Sequence, residues 1–256
     1  MLPEIEIGPL TIQTFGLMMA LGFLTAGYLA HKRFVELGKP GDWAFEAILF
    51  AAVGGLLGAK IDFLIENPDV VGDNLLASIF DGSGLVWYGG LIGGVLAVMI
   101  WAAWRKTFDL DTLDLCAPAL AAGYAVGRIG CQLAGDGDYG IPWDGPWAMS
   151  YENGTVPTPP GVTVHPTPIY ETLAMGLVAF GLWKLRNTFR PGILFAIYAI
   201  CAGTERFLIE FIRRNDDVLG PFSQAQVIAI VLILFGVVWI AVAANKGPLL
   251  RKPNGG

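Results

Sequence analysis

Residues 221–244 read PFSQAQVIAIVLILFGVVWIAVAA, a run without a single Asp, Glu, Lys or Arg. An α-helix rises about 1.5 Å per residue, so roughly 20 such residues cross a hydrocarbon core about 30 Å thick. Working outward, comparable apolar runs recur at about 12–30, 43–65, 85–104, 113–133, 168–185 and 192–212. Across the 256 residues only 15% are charged and 54% are hydrophobic, where soluble domains carry about 25% charged residues. Mean hydropathy is +0.58. The expected fold class is all-α: a polytopic integral membrane helix bundle of about seven transmembrane helices. No internal repeat is visible, so a single transmembrane domain over residues 1–256 is expected.

The 34 glycines and 16 prolines suit helices that pack closely in lipid and break where they line a cavity. The fifth run is short and starts at Pro168, so it is expected to open inside a cavity. The N-terminus lacks the basic segment and small-residue cleavage site of a signal peptide, so its first apolar run is read as a retained helix. Cys116, Cys131 and Cys201 all fall inside apolar runs, with no spacing that suggests a metal site or disulfide framework. The one long connection, about 134–167, carries Pro142, Pro146, Pro157, Pro159, Pro160 and Pro166. It reads as an ordered, irregular outer loop or lid.

Basic residues set the expected orientation. Lys32, Arg33 and Lys39 follow the first run, and Arg105 and Lys106 the third. Lys184, Arg186 and Arg190 follow the fifth, and Lys246, Arg251 and Lys252 the seventh, so eleven of the 16 Lys and Arg share one side. The opposite loops carry Glu66, Asp69, Asp73 and Asp81, then Asp136, Asp138, Asp144 and Glu152. The positive-inside rule puts the N-terminus outside and the C-terminus in the cytoplasm.

Lys60, Arg128, Arg206, Arg213 and Arg214 break this pattern. In the expected topology all five converge at the depth of the outer-leaflet headgroups. A charge in mid-helix costs about 2.5–3.5 kcal/mol on insertion scales, so it is paired, faces a cavity, or works. Carboxylates occupy the same level: Asp62, Glu66, Asp136, Glu171, Glu205 and Glu210. Lys60 reads as a packing ion pair with Asp62 or Glu66, and Arg213 and Arg214 as a solvated, lipid-facing edge. Arg128 and Arg206 sit among glycines and polar groups where packing alone would favour apolar residues. A guanidinium offers a rigid fork of donors matched to phosphate oxygens. Two of them, from different helices at headgroup depth, suit the phosphate of a lipid.

Four segments carry a further signal: Gly84–Gly94 (GLVWYGGLIGG), Gly127–Gly140 (GRIGCQLAGDGDYG), His165–Glu171 (HPTPIYE) and Arg206–Arg213 (RFLIEFIR). Their order, spacing and content resemble the prolipoprotein diacylglyceryl transferase family. The resemblance covers about 80–214 closely and agrees with the seven-span layout. It implies a transferase that moves the diacylglyceryl group of phosphatidylglycerol to the lipobox cysteine of a secreted preprolipoprotein. The product is a thioether, and glycerol 1-phosphate leaves. The partners so implied are phosphatidylglycerol, the lipobox-bearing signal peptide and membrane lipids, in the bacterial cytoplasmic (inner) membrane. No nucleic acid, metal or organic cofactor is implied.

By position, the resemblance assigns Arg128 to phospholipid binding, and Arg206 and Glu210 to an essential arginine and its following acid. Asp136 stands where the family signature has Glu. Gly89, Gly90 and Gly93 match a glycine-rich helix start that would admit a lipid, or that only makes a close helix contact. His165, Tyr170 and Glu171 match a His-Pro-x-x-x-Tyr-Glu motif. Tyr88 replaces the family's usual His, Cys131 and Ala134 replace two asparagines, and Ala202 replaces a tyrosine; the stretch after Asp136 is one residue longer. Asp136, His165 and Tyr88 all remain candidates to accept the thiol proton. Two rival readings are a lipid-group transferase with a different acceptor and a lipid or anion transporter.

Overall fold

A computed structural model of the chain describes residues 1–68, 86–215 and 217–251. Asp69, Asp73 and Asp81 of the acidic loop, Gly84 and Leu85 of the glycine run, and Lys252 lie outside the described residues. Among the described residues there are seven helices: α1 (Thr14–Glu36), α2 (Trp43–Glu66), α3 (Trp87–Trp104), α4 (Leu110–Ala134), α5 (Thr167–Leu185), α6 (Ile193–Glu210) and α7 (Gln224–Asn245). Two antiparallel ribbons accompany them, β1 (Glu4–Ile7) with β2 (Leu10–Gln13) and β3 (Asp217–Leu219) with β4 (Phe222–Ser223). The architecture is otherwise all-α. By length and composition α1, α2 and α7 can each cross a membrane. They turn side chains such as Leu49, Leu56, Val231 and Val238 outward, which fits hydrocarbon rather than water as the surrounding solvent. The helices match the apolar runs to within a few residues except α1. It continues through Lys32 and Arg33 to Glu36, where Arg33 pairs with Glu36 at 2.7 Å.

The chain divides into two compact units, one of Met1–Ala30 with Leu113–Gly256 and one of His31–Thr112. In the second, α2 and α3 cross along a seam of small residues. A Cβ on Gly58 would overlap the Gly89 carbonyl oxygen and come within 2.8 Å of Gly93 Cα, and one on Gly89 would meet Asp62 Cβ. The Asp62 carboxylate accepts the Gly89 N–H at 2.9 Å, which satisfies a free donor of the first turn of α3. Gly58→Val is therefore expected to destabilise this helix pair by about 1–3 kcal/mol. Thermal unfolding of the purified protein in detergent checks it. Lys60 is buried on the same helix, with its ammonium 5.3 Å from the centroid of the Phe63 ring. At the other end Glu46 accepts from Trp101 Nε1 at 3.1 Å and pairs with Arg105.

In the first unit α4, α5 and α6 share a core of Ala117, Ala121, Ala125, Met175, Ala179, Leu182 and Leu194. Alanines on α4 leave room for Met175, Ala179 and Leu182 of α5. Buried Asp114 of α4 accepts the Gly192 and Phe195 N–H groups, both at 2.8 Å, at the start of α6. A carboxylate suits a helix N-terminus because donors there lack intrahelical partners and the dipole is positive. α7 starts on a capping box formed by Ser223 and Gln226. The connection between α4 and α5 has no helix. Its own small core is Tyr139, Tyr151 and Val164, with the two tyrosine rings stacked at 4.7 Å, and Tyr151 donates its hydroxyl to Gln132 Oε1 on α4 at 2.7 Å.

Candidate functional site

Arg128, on the penultimate turn of α4, points at a carboxylate from another helix. Its Nε and Nη2 engage Glu171 Oε2 in the first turns of α5, and its Nη1 engages Asp138 Oδ2. Glu171 has no exposed surface. Its other oxygen lies 3.6 Å from Arg206 Nη1 on α6 and 3.6 Å from Arg213 Nη1 just beyond that helix. One buried carboxylate is thus shared by three guanidiniums. Arg206 also pairs with Glu210 one turn on, at 2.9 Å. Glu210 is fixed from the far side, where its Oε1 accepts from Ser223 Oγ at 2.6 Å and Asn215 Nδ2 at 2.7 Å. The cap of α7 therefore holds the acid that holds Arg206.

Asp138 reaches Arg128 because the chain reverses after α4. Gly135 and Gly137 both take positive φ, 61° and 93°, a region that glycine enters without Cβ cost. The turn lays Asp138 back over the helix end, where it accepts from Arg213 Nη2 at 2.6 Å as well as from Arg128. Burial alone would raise the pKa of Asp138, but Arg128 and then Arg213 outweigh it and hold the carboxyl down to about 2. Because this lies below the ordinary aspartate value of 3.8, the stabilisation is complete above about pH 4 and is lost as pH falls towards 2. Asp138→Asn is expected to cost about 2 kcal/mol between pH 8 and 5, with the difference from wild type shrinking below pH 4. Denaturant unfolding at pH 7, 5 and 3 measures it.

Besides Glu171, Arg128 pairs with Asp138, which lies two residues beyond Asp136. Asp136 instead accepts the Asp138 backbone N–H at 3.2 Å. The one-residue lengthening of this stretch was the available signal. Arg213 departs from the lipid-facing edge that its sequence position suggests: its side chain is 10% exposed and lies within the cluster. The turn after α6 folds against the long loop, where the Ile141 N–H donates to the Ile212 carbonyl at 2.8 Å, and this draws Arg213 inward. Arg214 does remain exposed, over the Tyr139 ring at 4.2 Å.

His165 and Tyr170 form a second group. The His165 ring stacks on Trp143 at 4.4 Å, and its Nδ1 lies 3.3 Å from the Tyr170 hydroxyl, which also accepts from Trp147 Nε1 at 2.7 Å. Tyr88, Gly89 and Gly90 belong to the unit of His31–Thr112, where Gly89 and Gly90 face α2. Cys131, Asp136 and Asp138 place three potential metal-ligand atoms within 4.8 Å of one another. Arg128 donates to Cys131 Sγ at 3.3 Å and to Asp138, so a fixed positive charge already occupies that corner. Beside the guanidinium cluster α5 and α6 border a largely apolar, open-sided cavity of about 550 Å³. Tyr170, Ala174 and Val178 line one wall, Ile200, Glu205 and Leu208 the other. Leu208 is 60% exposed, so the cavity opens at the outer surface of this helix pair.

Fold and site together define a helical membrane protein that concentrates buried guanidinium groups next to an apolar cavity, an arrangement matched to an amphiphile with an anionic head. Comparison with known proteins makes the class specific. The family model described as prolipoprotein diacylglyceryl transferase matches residues 4–242, and the chain belongs to that family. A phosphatidylglycerol–prolipoprotein diacylglyceryl transferase of Clostridium tetani (strain Massachusetts / E88) is 34% identical over 242 residues, covering 91% of this chain and 93% of the relative. The enzyme named phosphatidylglycerol–prolipoprotein diacylglyceryl transferase 2 of Clostridium perfringens (strain 13 / Type A) is 32% identical, covering 98% and 97%. That of Leptospira interrogans serogroup Icterohaemorrhagiae serovar copenhageni (strain Fiocruz L1-130) is 31% identical, covering 94% and 91%.

Proposed function

We propose that this protein is a phosphatidylglycerol–prolipoprotein diacylglyceryl transferase. It moves the diacylglyceryl group of phosphatidylglycerol onto the lipobox cysteine of a secreted preprolipoprotein and releases glycerol 1-phosphate. The whole chain acts as one transmembrane domain in the bacterial cytoplasmic membrane. It has seven spans, with the N-terminus outside and the C-terminus in the cytoplasm, and the loop of about 134–167 covers the outer face. The distribution of basic residues supports this topology.

The observation that carries the reading is the meeting of Arg128 and Arg206, from α4 and α6, on the single carboxylate of Glu171 beside an apolar cavity. Phosphatidylglycerol enters with its acyl chains against the cavity wall and its phosphate on the guanidiniums. Three guanidiniums, those of Arg128, Arg206 and Arg213, already balance three carboxylates, so the phosphate must compete for donors. Asp138 is the partner most easily displaced, being 31% exposed and on a loop, whereas Glu171 and Glu210 are buried on helices. Arg206 is 28% exposed, and Arg213 Nε has no hydrogen-bond partner among the described residues; both offer donors to an anion. These fixed charges offset the charge that develops on the leaving phosphate, while Glu210, braced by Ser223, keeps Arg206 aimed. Asp136, His165 and Tyr170 then serve to seat the lipid headgroup and the incoming peptide.

Purified full-length protein incubated with phosphatidylglycerol and a lipobox peptide should add one diacylglyceryl group to the cysteine, as read by mass spectrometry. A peptide that stays unmodified while glycerol 1-phosphate is still released would point to a different acceptor.

A further inference from the structure

The carboxylates of the cluster are poor proton acceptors. Glu171, Glu210 and Asp138 each balance at least one guanidinium, and protonating any of them would leave a buried cation without its partner. His165 is committed to Trp143 and Tyr170, and Asp136 accepts a backbone N–H. Glu205 differs from all of these. It leaves α6 one residue before Arg206, so the two side chains diverge by about 100° around the helix. Arg206 turns to the ion-pair cluster, and Glu205 lines the apolar cavity. Its Oε1 is buried without a hydrogen-bond partner, and no ion pair holds it among the described residues. A buried polar atom left unpaired costs about 1–3 kcal/mol, and an apolar residue would line the same wall at no such cost.

We propose that Glu205 is the catalytic residue that takes the proton from the attacking cysteine thiol, an assignment that rests on the transferase reading above. With the phosphate on Arg206 and the acyl chains in the cavity, the glyceryl carbon bonded to the phosphate oxygen lies between the guanidinium and Glu205. The thiol S–H proton passes to Glu205 Oε1. The sulfur electron pair forms the C–S bond, and the C–O bond breaks with its electrons going to the phosphate oxygen. Glycerol 1-phosphate leaves on the guanidiniums. The proton on Glu205 then moves to the departing phosphate, which restores the carboxylate. The charged and titratable groups facing Glu205 are Glu171 on α5, Arg128 and Tyr124 on α4, Arg206 and Tyr198 on α6, and Arg213 beyond it.

The test compares full-length wild type with Glu205→Gln, using phosphatidylglycerol in detergent micelles and two lipobox peptides, one with cysteine and one with selenocysteine. General-base catalysis contributes about 10²–10⁴-fold. At pH 7 Glu205→Gln should therefore lower kcat on the cysteine peptide at least 100-fold, on the order of what that contribution predicts, with KM for phosphatidylglycerol unchanged. Its residual rate should rise about tenfold per pH unit towards the ordinary thiol pKa near 8.5. The selenocysteine peptide, whose selenol is already ionised at neutral pH, should be processed by Glu205→Gln at close to the wild-type rate. Unimpaired turnover of the cysteine peptide by Glu205→Gln would overturn the assignment. So would an equal loss on both peptides with a flat pH response, because that marks damage to the fold or to lipid placement. A wild-type protein that modifies neither peptide would overturn the transferase reading itself, and this assignment with it.

Discussion

Arg128→Lys is expected to leave a folded protein whose thioether formation falls about a hundred- to a thousandfold, roughly the 3–4 kcal/mol that one preorganised transition-state contact supplies. Lysine keeps a positive charge near Glu171 and Asp138, so the buried carboxylates are not stranded. It cannot present the fork that engages Glu171 through Nε and Nη2 while Nη1 reaches Asp138, and a point charge does not reproduce bidentate phosphate binding. Arg128→Ala should lose activity as completely but also destabilise the protein, because it removes a partner from a fully buried Glu171. Mass spectrometry of the peptide product, alongside thermal unfolding of each variant, separates the two effects. An Arg128→Lys protein that retains more than about a tenth of wild-type turnover would show that the fork is not needed, given the roughly hundredfold or greater loss argued above.

The second large effect is expected at Glu171. Its removal leaves Arg128, Arg206 and Arg213 converging with no common counter-ion. Breaking a buried ion pair from one side costs about 3–5 kcal/mol, and 1 kcal/mol shifts Tm by about 2–4 °C at this chain length. Glu171→Ala should thus lower Tm by roughly 10 °C. Glu171→Gln should lower it less, since the amide can still accept one hydrogen bond. The double variant Arg128→Ala with Glu171→Ala should be less destabilised than the sum of the single changes, because each single change strands the other group. Strict additivity in that cycle would contradict the direct pairing of these side chains.

Hydrocarbon demands long uninterrupted apolar segments, and that demand made the helices legible in the sequence to within a few residues. The end of α1 was not legible. Lys32 and Arg33 read as a loop, but helix continues because Glu36 returns a partner to Arg33. The same logic of cost exposed Arg128, Arg206, Glu171 and Glu210: a charge placed in an apolar helix must be accounted for, and here the charges account for one another. What stayed hidden depended on how irregular backbone folds back. Two glycines at positive φ decide that Asp138, not Asp136, covers Arg128. A hydrogen bond between Ile141 and Ile212 decides that Arg213 turns inward. Neither leaves a periodic trace. Ser223 was invisible for a different reason: a helix cap is readable locally, but its second bond to Glu210 arises only from packing.

Gly89 and Gly93 show how one composition serves two readings. A glycine run at a helix start suits lipid entry and close helix packing alike. Here the space beside both glycines is filled by Gly54, Gly58 and Asp62 of α2.

The account turns on where the phosphate of the lipid sits. A structure of the full-length protein with phosphatidylglycerol bound, determined in a lipid nanodisc, tests it most directly. The phosphate should lie within about 3.2 Å of donor nitrogens from both Arg128 and Arg206, with an acyl chain in the cavity between α5 and α6. A headgroup bound elsewhere, with Arg128 and Arg206 still held only by Asp138, Glu171 and Glu210, would contradict it.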